Sequence, residues 1–241
     1  MTCACFRWIF LFGLIPAHSF AQSFMELAPM PERVTNNAVT AAEVDGEWYV
    51  YSFTGLDSTK SCNGDHLKAW RYHVSTDTWE SLPNVPDALG GKIAAAASTI
   101  KGKIYVVGGY HLAPNCNEVS SARVHIFDPV LNDWLPDGAD IPVAIDDQVQ
   151  AVWQDSLLYV VTGWSNTTNV PDVQVYNPAT DSWAEGTAVP TSTAWRVFGA
   201  AGTIIGDTLY YSGGATLSGS FNPGDTFRKG YIHPDDPLTI D

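Results

Sequence analysis

The sequence predicts an all-β chain: a β-propeller of four-stranded antiparallel blades, with about four blades present. Three observations predict it. The segments Tyr72–Trp79, Phe127–Trp134 and Tyr176–Trp183 align without gaps, each running from an aromatic residue to a tryptophan. Upstream of each lies a β-branched and aromatic run ending in glycine, and a fourth such run follows; the glycines are Gly55, Gly109, Gly163 and Gly214, spaced 54, 54 and 51 apart. Finally, 241 residues with 45% hydrophobic, 12% aromatic and only 16% charged side chains bury enough apolar surface to offset the entropy of ordering.

Each repeat resolves into four strands, here called a to d. Strand a is small and apolar, as in Ile93-Ala94-Ala95-Ala96-Ala97, and suits a crowded axis. A short turn follows (Asp45-Gly46, Lys101-Gly102, Asp155-Ser156 or Gly206-Asp207). Strand b is the glycine-terminated run, such as Ile104-Tyr105-Val106-Val107-Gly108-Gly109, whose residue types favour a buried strand. Strands c and d form a hairpin with the aromatic on c and the tryptophan on d. Its turn carries Ser75-Thr76-Asp77, Asp128-Pro129 with Asn132-Asp133, or Asn177-Pro178 with Asp181-Ser182. A four-stranded unit recurring at about 50 residues is the mark of a propeller blade.

The blades are expected at 32–86, 87–142, 143–190 and 191–241, the last one incomplete. Residues 1–21 are expected to be a secretory signal: Arg7, the apolar run Trp8–Ile15, Pro16, then Ser19-Phe20-Ala21. Residues 22–31 contain Phe24–Pro31, which parallels Trp79–Pro86, and are expected to be an orphan strand d that closes the last blade. A partial record of a larger ring, a sealed four-bladed ring and two associated half-rings all remain open.

The glycine-terminated strand b, the downstream tyrosine and the tryptophan beyond it resemble the kelch repeat. The likeness runs over residues 32–241 and suggests the galactose oxidase/kelch-like superfamily in its secreted, bacterial form. Gly108-Gly109 and Gly213-Gly214 match the double glycine, whereas Thr54-Gly55 and Thr162-Gly163 depart at its first position. The resemblance implies a binding scaffold or, alternatively, a carbohydrate-active enzyme of the sialic-acid mutarotase kind, or less readily a copper radical oxidase.

With 12 Lys+Arg against 26 Asp+Glu, a net charge of −14 disfavours nucleic acid and anionic membrane surfaces. No membrane insertion, metal or cofactor is expected, because no metal-ligand spacing, nucleophile elbow or phosphate loop is present. A non-catalytic role therefore leads, with a protein or glycan ligand and a secreted, periplasmic or cell-surface location. In a meander the d–a linkers and b–c loops emerge on one face, the expected binding face. Candidate binding residues there are Trp164 and Trp195, as a stacking pair, and Arg196, Asp146, Asp147 and Lys92, ringing the channel mouth. Cys62 and Cys116 each lie seven residues after a strand-b glycine and are expected to form a disulfide between adjacent loops.

Overall fold

A computed structural model describes residues 24–241; the expected signal at 1–21 lies outside the described residues. All regular elements described are strands, arranged as four antiparallel sheets with a separate two-stranded hairpin. Blade 1 holds a to d as Ala38–Val44, Glu47–Asp57, Asp65–His73 and Thr78–Leu82. Blade 2 follows with Ile93–Ile100, Lys103–Leu112, Val124–Asp128 and Asp133–Trp134. Blade 3 comprises Val149–Trp153, Leu157–Val161, Val173–Asn177 and Ser182–Glu185. In blade 4 the strands are Phe198–Ile205, Thr208–Ser218, Phe227–His233 and Asp236–Ile240.

Strand alternation explains how the blades stack. Successive residues of a strand point to opposite faces, so strand b of each middle blade feeds two seams. Tyr51 and Phe53 of blade 1 pack with Ile104 and Val106 of blade 2. Tyr105 and Val107 meet Leu158 and Val160 of blade 3. Tyr159 and Val161 meet Leu209 and Tyr211 of blade 4. The second glycine of Gly108-Gly109 is required by both conformation and space: its φ is +82°, and a Cβ would stand 2.7 Å from the Ile93 carbonyl oxygen of strand a. At Thr162, which replaces the first glycine in blade 3, φ is also positive. Its hydroxyl donates to the Val170 carbonyl at 2.8 Å and accepts from the Val197 amide at 3.0 Å.

The repeated tryptophans occupy equivalent places. The indole N–H of Trp79, Trp134 and Trp183 donates to the carbonyl of Ala28, Pro83 and Ala139 respectively, at 2.8–2.9 Å. The first of these corrects the expected role of residues 22–31. The part described, from Phe24, forms no strand and pairs with no strand of blade 4. It lies instead against the hairpin of blade 1, where the Ala28 amide also donates to Asp77 at 2.7 Å. Blade 4 supplies its own outer strand, Asp236–Ile240, so the N-terminal segment does not complete it.

Candidate functional site: the channel mouth

Strand a enters each sheet through one residue in the left-handed region: Asn36, Ala94, Asp147 and Gly199, with φ of 50–66°. Their backbones link blade to blade. The Ala94 amide donates to the Asn36 carbonyl, Asp147 to Ala94, and Gly199 to Asp147, at 3.0, 3.1 and 2.7 Å. This handover gathers the four strand-a entries around one axis. The cavity there, about 210 Å³, is lined by Asn36, Asn37, Asp147, Gln148 and the small residues of strands a. Gln148 is buried; its Nε2 donates to the Val107 carbonyl while its Oε1 has no partner.

Beside this mouth stands an aromatic cluster. Trp164 exchanges two backbone hydrogen bonds with Asp146, both 2.9 Å. Its ring meets Phe198 and Phe221 edge-on at 5.6 and 5.9 Å, and those two lie 5.4 Å apart. Phe221 is exposed, so the cluster presents an aromatic surface to solvent. Below it, Asp146 is buried and accepts from the Ser120 hydroxyl at 2.5 Å. Burial, with the nearby Asp147 and Glu118 charges, pushes the Asp146 carboxyl up to about 7. Burial and Glu118 push Asp147 up to about 6.

The other expected residues sit elsewhere. Trp195 does not form a stacking pair with Trp164. It packs against Tyr211 at 6.5 Å and lines an apolar cavity of about 220 Å³ between blades 3 and 4, with Val173, Val189 and Leu209. Arg196 does not line the mouth cavity, and its Nε is buried without a hydrogen-bond partner. Lys92 is not at the mouth either: its side chain is 0% exposed. Its Nζ lies 2.8 Å from Asp87 Oδ2, 3.2 Å from Ser121 Oγ and 3.2 Å from His125 Nε2. Burial opposes the charge on Asp87, but the neighbouring His111 at 3.4 Å, the hydrogen bond with His125 and the Lys92 charge outweigh it and hold that carboxyl well below the usual range. Burial pulls the Lys92 amine down. This polar lock ties the linker that enters blade 2 to that blade's own strands b and c.

Cys62 and Cys116 form a disulfide between the b–c loops of blades 1 and 2, with Cα atoms 5.4 Å apart. Neither thiol is then free for the cysteine–tyrosine crosslink of a copper radical oxidase. Among the described residues no group of three or more His, Cys, Asp or Glu side chains is placed to hold a metal ion, and no helix is long and apolar enough to cross a membrane. Sequence reasoning missed Asn36, Asn37, Phe198 and Phe221. The first three hold or adjoin the strand-a entry positions and could have been found by aligning those entries as closely as the tryptophans.

These features define a propeller of kelch-type blades. Among known families, the Kelch motif matches residues 94–136. Kelch-like protein 26 of Danio rerio is 32% identical over 124 residues, covering 52% of this chain and 20% of its own length. Kelch-like protein terF of Aspergillus terreus is 28% identical over 200 residues, covering 80% and 41%. The chain spans less than half the length of these curated relatives. Among solved structures, that of YjhT superposes with a TM-score of 0.61 at 17% identity, covering 88% of this chain and 69% of that one. The chain thus carries a kelch-repeat β-propeller fold.

Proposed function

We propose that the protein is an exported binding module that takes a protein or glycan ligand at the channel mouth. The observation that carries this reading is the exposed edge of the Trp164–Phe198–Phe221 cluster beside a cavity lined by Asn36, Asn37, Asp147 and Gln148. Aromatic faces stack on sugar rings or partner side chains, and carboxamides with a carboxylate fix orientation by hydrogen bonds. Export is supported by the N-terminal apolar run and by the Cys62–Cys116 disulfide, a bond that persists in oxidising compartments. Glycan and peptide arrays test the reading, with Trp164→Ala and Phe221→Ala as variants. Ligands retained by the parent protein are lost from both variants; equal binding by all three proteins would sink it.

One observation favours a second reading, a carbohydrate-active enzyme of the mutarotase kind. Carboxyls raised to about 7 and 6, as at Asp146 and Asp147, hold and release protons near neutral pH. Buried Lys92 has no part in it. Anomer exchange of reducing sugars, followed by NMR with and without Asp147→Asn, separates this from binding alone.

A further inference from the structure

The channel mouth offers acceptors and lacks a positive charge. Asn37 gives an Nδ2 hydrogen to the Ser52 hydroxyl at 2.7 Å, and Gln148 gives an Nε2 hydrogen to the Val107 carbonyl at 2.9 Å. What each carboxamide has left is chiefly its carbonyl oxygen. Gln148 is only 6% exposed, and its Oε1 has no partner. A buried acceptor left unpaired is costly, which points to a donor supplied from outside. Asp147 shares this lining, and among the described residues its carboxylate has neither a hydrogen-bond donor nor a cation beside it. No lysine or arginine of the described residues lines the cavity, and Lys92 is committed to Asp87. Asp146 and Glu118 add further negative charge nearby, and burial with no cation to offset it raises the carboxyls of both aspartates.

The aromatic cluster is joined to this lining through the backbone. Asp146, next to Asp147, exchanges two backbone hydrogen bonds with Trp164; Phe198 precedes Gly199, whose amide donates to the Asp147 carbonyl at 2.7 Å. Phe221 is 64% exposed, and Trp164 and Phe198 are partly exposed. The three rings pack edge-on, so they offer a surface rather than an empty cage. Aromatic faces attract cations, and tryptophan does so most strongly. Given the mouth as the binding site proposed above, we infer that it selects an organic cation: an alkylammonium group whose N–H donors serve Asp147 and the carboxamide oxygens while its methylenes lie on Trp164 and Phe221. The ammonium is a compact charge with three donors, which matches one carboxylate flanked by amide oxygens. A neutral sugar would satisfy the amides and the rings but leave Asp147 without a counter-charge. An anionic ligand would add like charge to Asp146, Asp147 and Glu118. The group has two sources, a free amine and the lysine side chain of a protein.

Titration calorimetry at mildly alkaline pH tests this with three probes. They are n-butylammonium, the blocked tripeptide acetyl-Gly-Lys-Gly-amide, and the same tripeptide acetylated on the lysine nitrogen. Both cations bind, and acetylation of the lysine weakens the tripeptide by about tenfold or more. Tighter binding of the tripeptide than of the free amine supports a protein lysine as the source, and equal binding supports the amine. Asp147→Asn weakens both cations by about tenfold, since it removes the charge and keeps the shape. Asparagine tolerates the left-handed backbone at this position, where φ is 50°. Glu118→Gln, at an exposed residue, gives a smaller loss in the same direction and serves if the first variant does not fold. Equal affinity for the two tripeptides, or cation binding undiminished in both variants, overturns the inference. So does failure of both cations to bind. Array ligands lost with Trp164→Ala and Phe221→Ala would in that case leave the mouth as a site for an uncharged ligand.

Discussion

The seam between blades 1 and 2 and the seam between blades 3 and 4 have the same strand geometry but are held by different chemistry. The first contains a disulfide, the buried Lys92–Asp87 pair and two histidines around Asp87. The second is apolar, formed by Tyr159, Val161, Leu209, Tyr211 and Ile232, with Trp195 over a cavity of about 220 Å³. The repeat therefore fixes where a seam lies, and the individual residues decide how it responds to charge, redox state and pH. A buried ion pair is a poor source of net stability compared with apolar packing, yet it is costly to break from one side.

The sharpest way to break the comparison follows from that asymmetry. Lys92→Met leaves Asp87 buried without its cation and costs about 3–5 kcal/mol in denaturant unfolding. Lys92→Met with Asp87→Leu recovers much of the loss. A double variant as unstable as the single one would show that packing, and not the uncompensated charge, is responsible. The pH dependence has a definite sign. The Asp87 carboxyl is held below its unfolded value, so its contribution is present above about pH 4 and is lost as acid protonates it.

The disulfide comes next. It spans a sequence separation of 54, and Cys62→Ala with Cys116→Ala costs about 2–4 kcal/mol, chiefly through the freer unfolded chain. Reductant lowers the Tm of the parent protein and leaves that of the double variant alone. An unchanged Tm on reduction would mean that the apolar packing of Tyr51, Phe53, Ile104 and Val106 holds the first seam without the disulfide.

The repeat was legible in the sequence because each blade restates it: glycine closes strand b, an aromatic marks strand c, tryptophan marks strand d. The Cys62–Cys116 pairing was legible for the same reason, since both residues keep one distance from a repeat glycine. Burial was not. Lys92 shares the entry to strand a with Asp146, but its side chain points into the seam toward Asp87 and His125, partners 5 and 33 residues away. Trp164 and Trp195 both lie outside the four strands of a blade, yet what each touches depends on Phe198, Phe221 and Tyr211 in blade 4. The similarity of Phe24–Pro31 to Trp79–Pro86 was also legible, and the Ala28 carbonyl does receive an indole N–H as Pro83 does. Spacing alone could not tell which blade it would meet.

A smaller effect of opposite sign belongs to the channel mouth. Asp146 rises to about 7 in the folded chain, above its ordinary value of 3.8, so the folded state holds a proton that the unfolded state has lost. Stability therefore falls as pH rises from about 4 to 7, where the Asp87 lock is fully present. Asp146→Asn removes the Asp146 share of this slope and leaves the shallower share of Asp147, whose carboxyl is raised to about 6, keeps an acceptor for Ser120, and raises stability at pH 8 by about 1–3 kcal/mol. Thermal melts from pH 4 to 8 check it; parallel curves for parent and variant would mean that Asp146 is ionised throughout.

The smallest expected effect repairs a difference between seams. In blades 1 and 3 the strand-c tyrosine donates its hydroxyl to the turn aspartate: Tyr72 to Asp77 and Tyr176 to Asp181, both at 2.6 Å. Blade 2 has Phe127 and Asn132 at these places, and Asn132 Oδ1 is buried without a partner. The ring geometry is otherwise shared, with Phe127 5.1 Å from Trp134 and Tyr176 4.9 Å from Trp183. Phe127→Tyr therefore adds a donor where an acceptor waits, and stabilises the chain by about 1 kcal/mol. In Phe127→Tyr with Asn132→Ala the gain vanishes. If the tyrosine instead destabilises both backgrounds alike, the first seam is packed too tightly for one more oxygen, and the equivalence of the blades ends at their backbones.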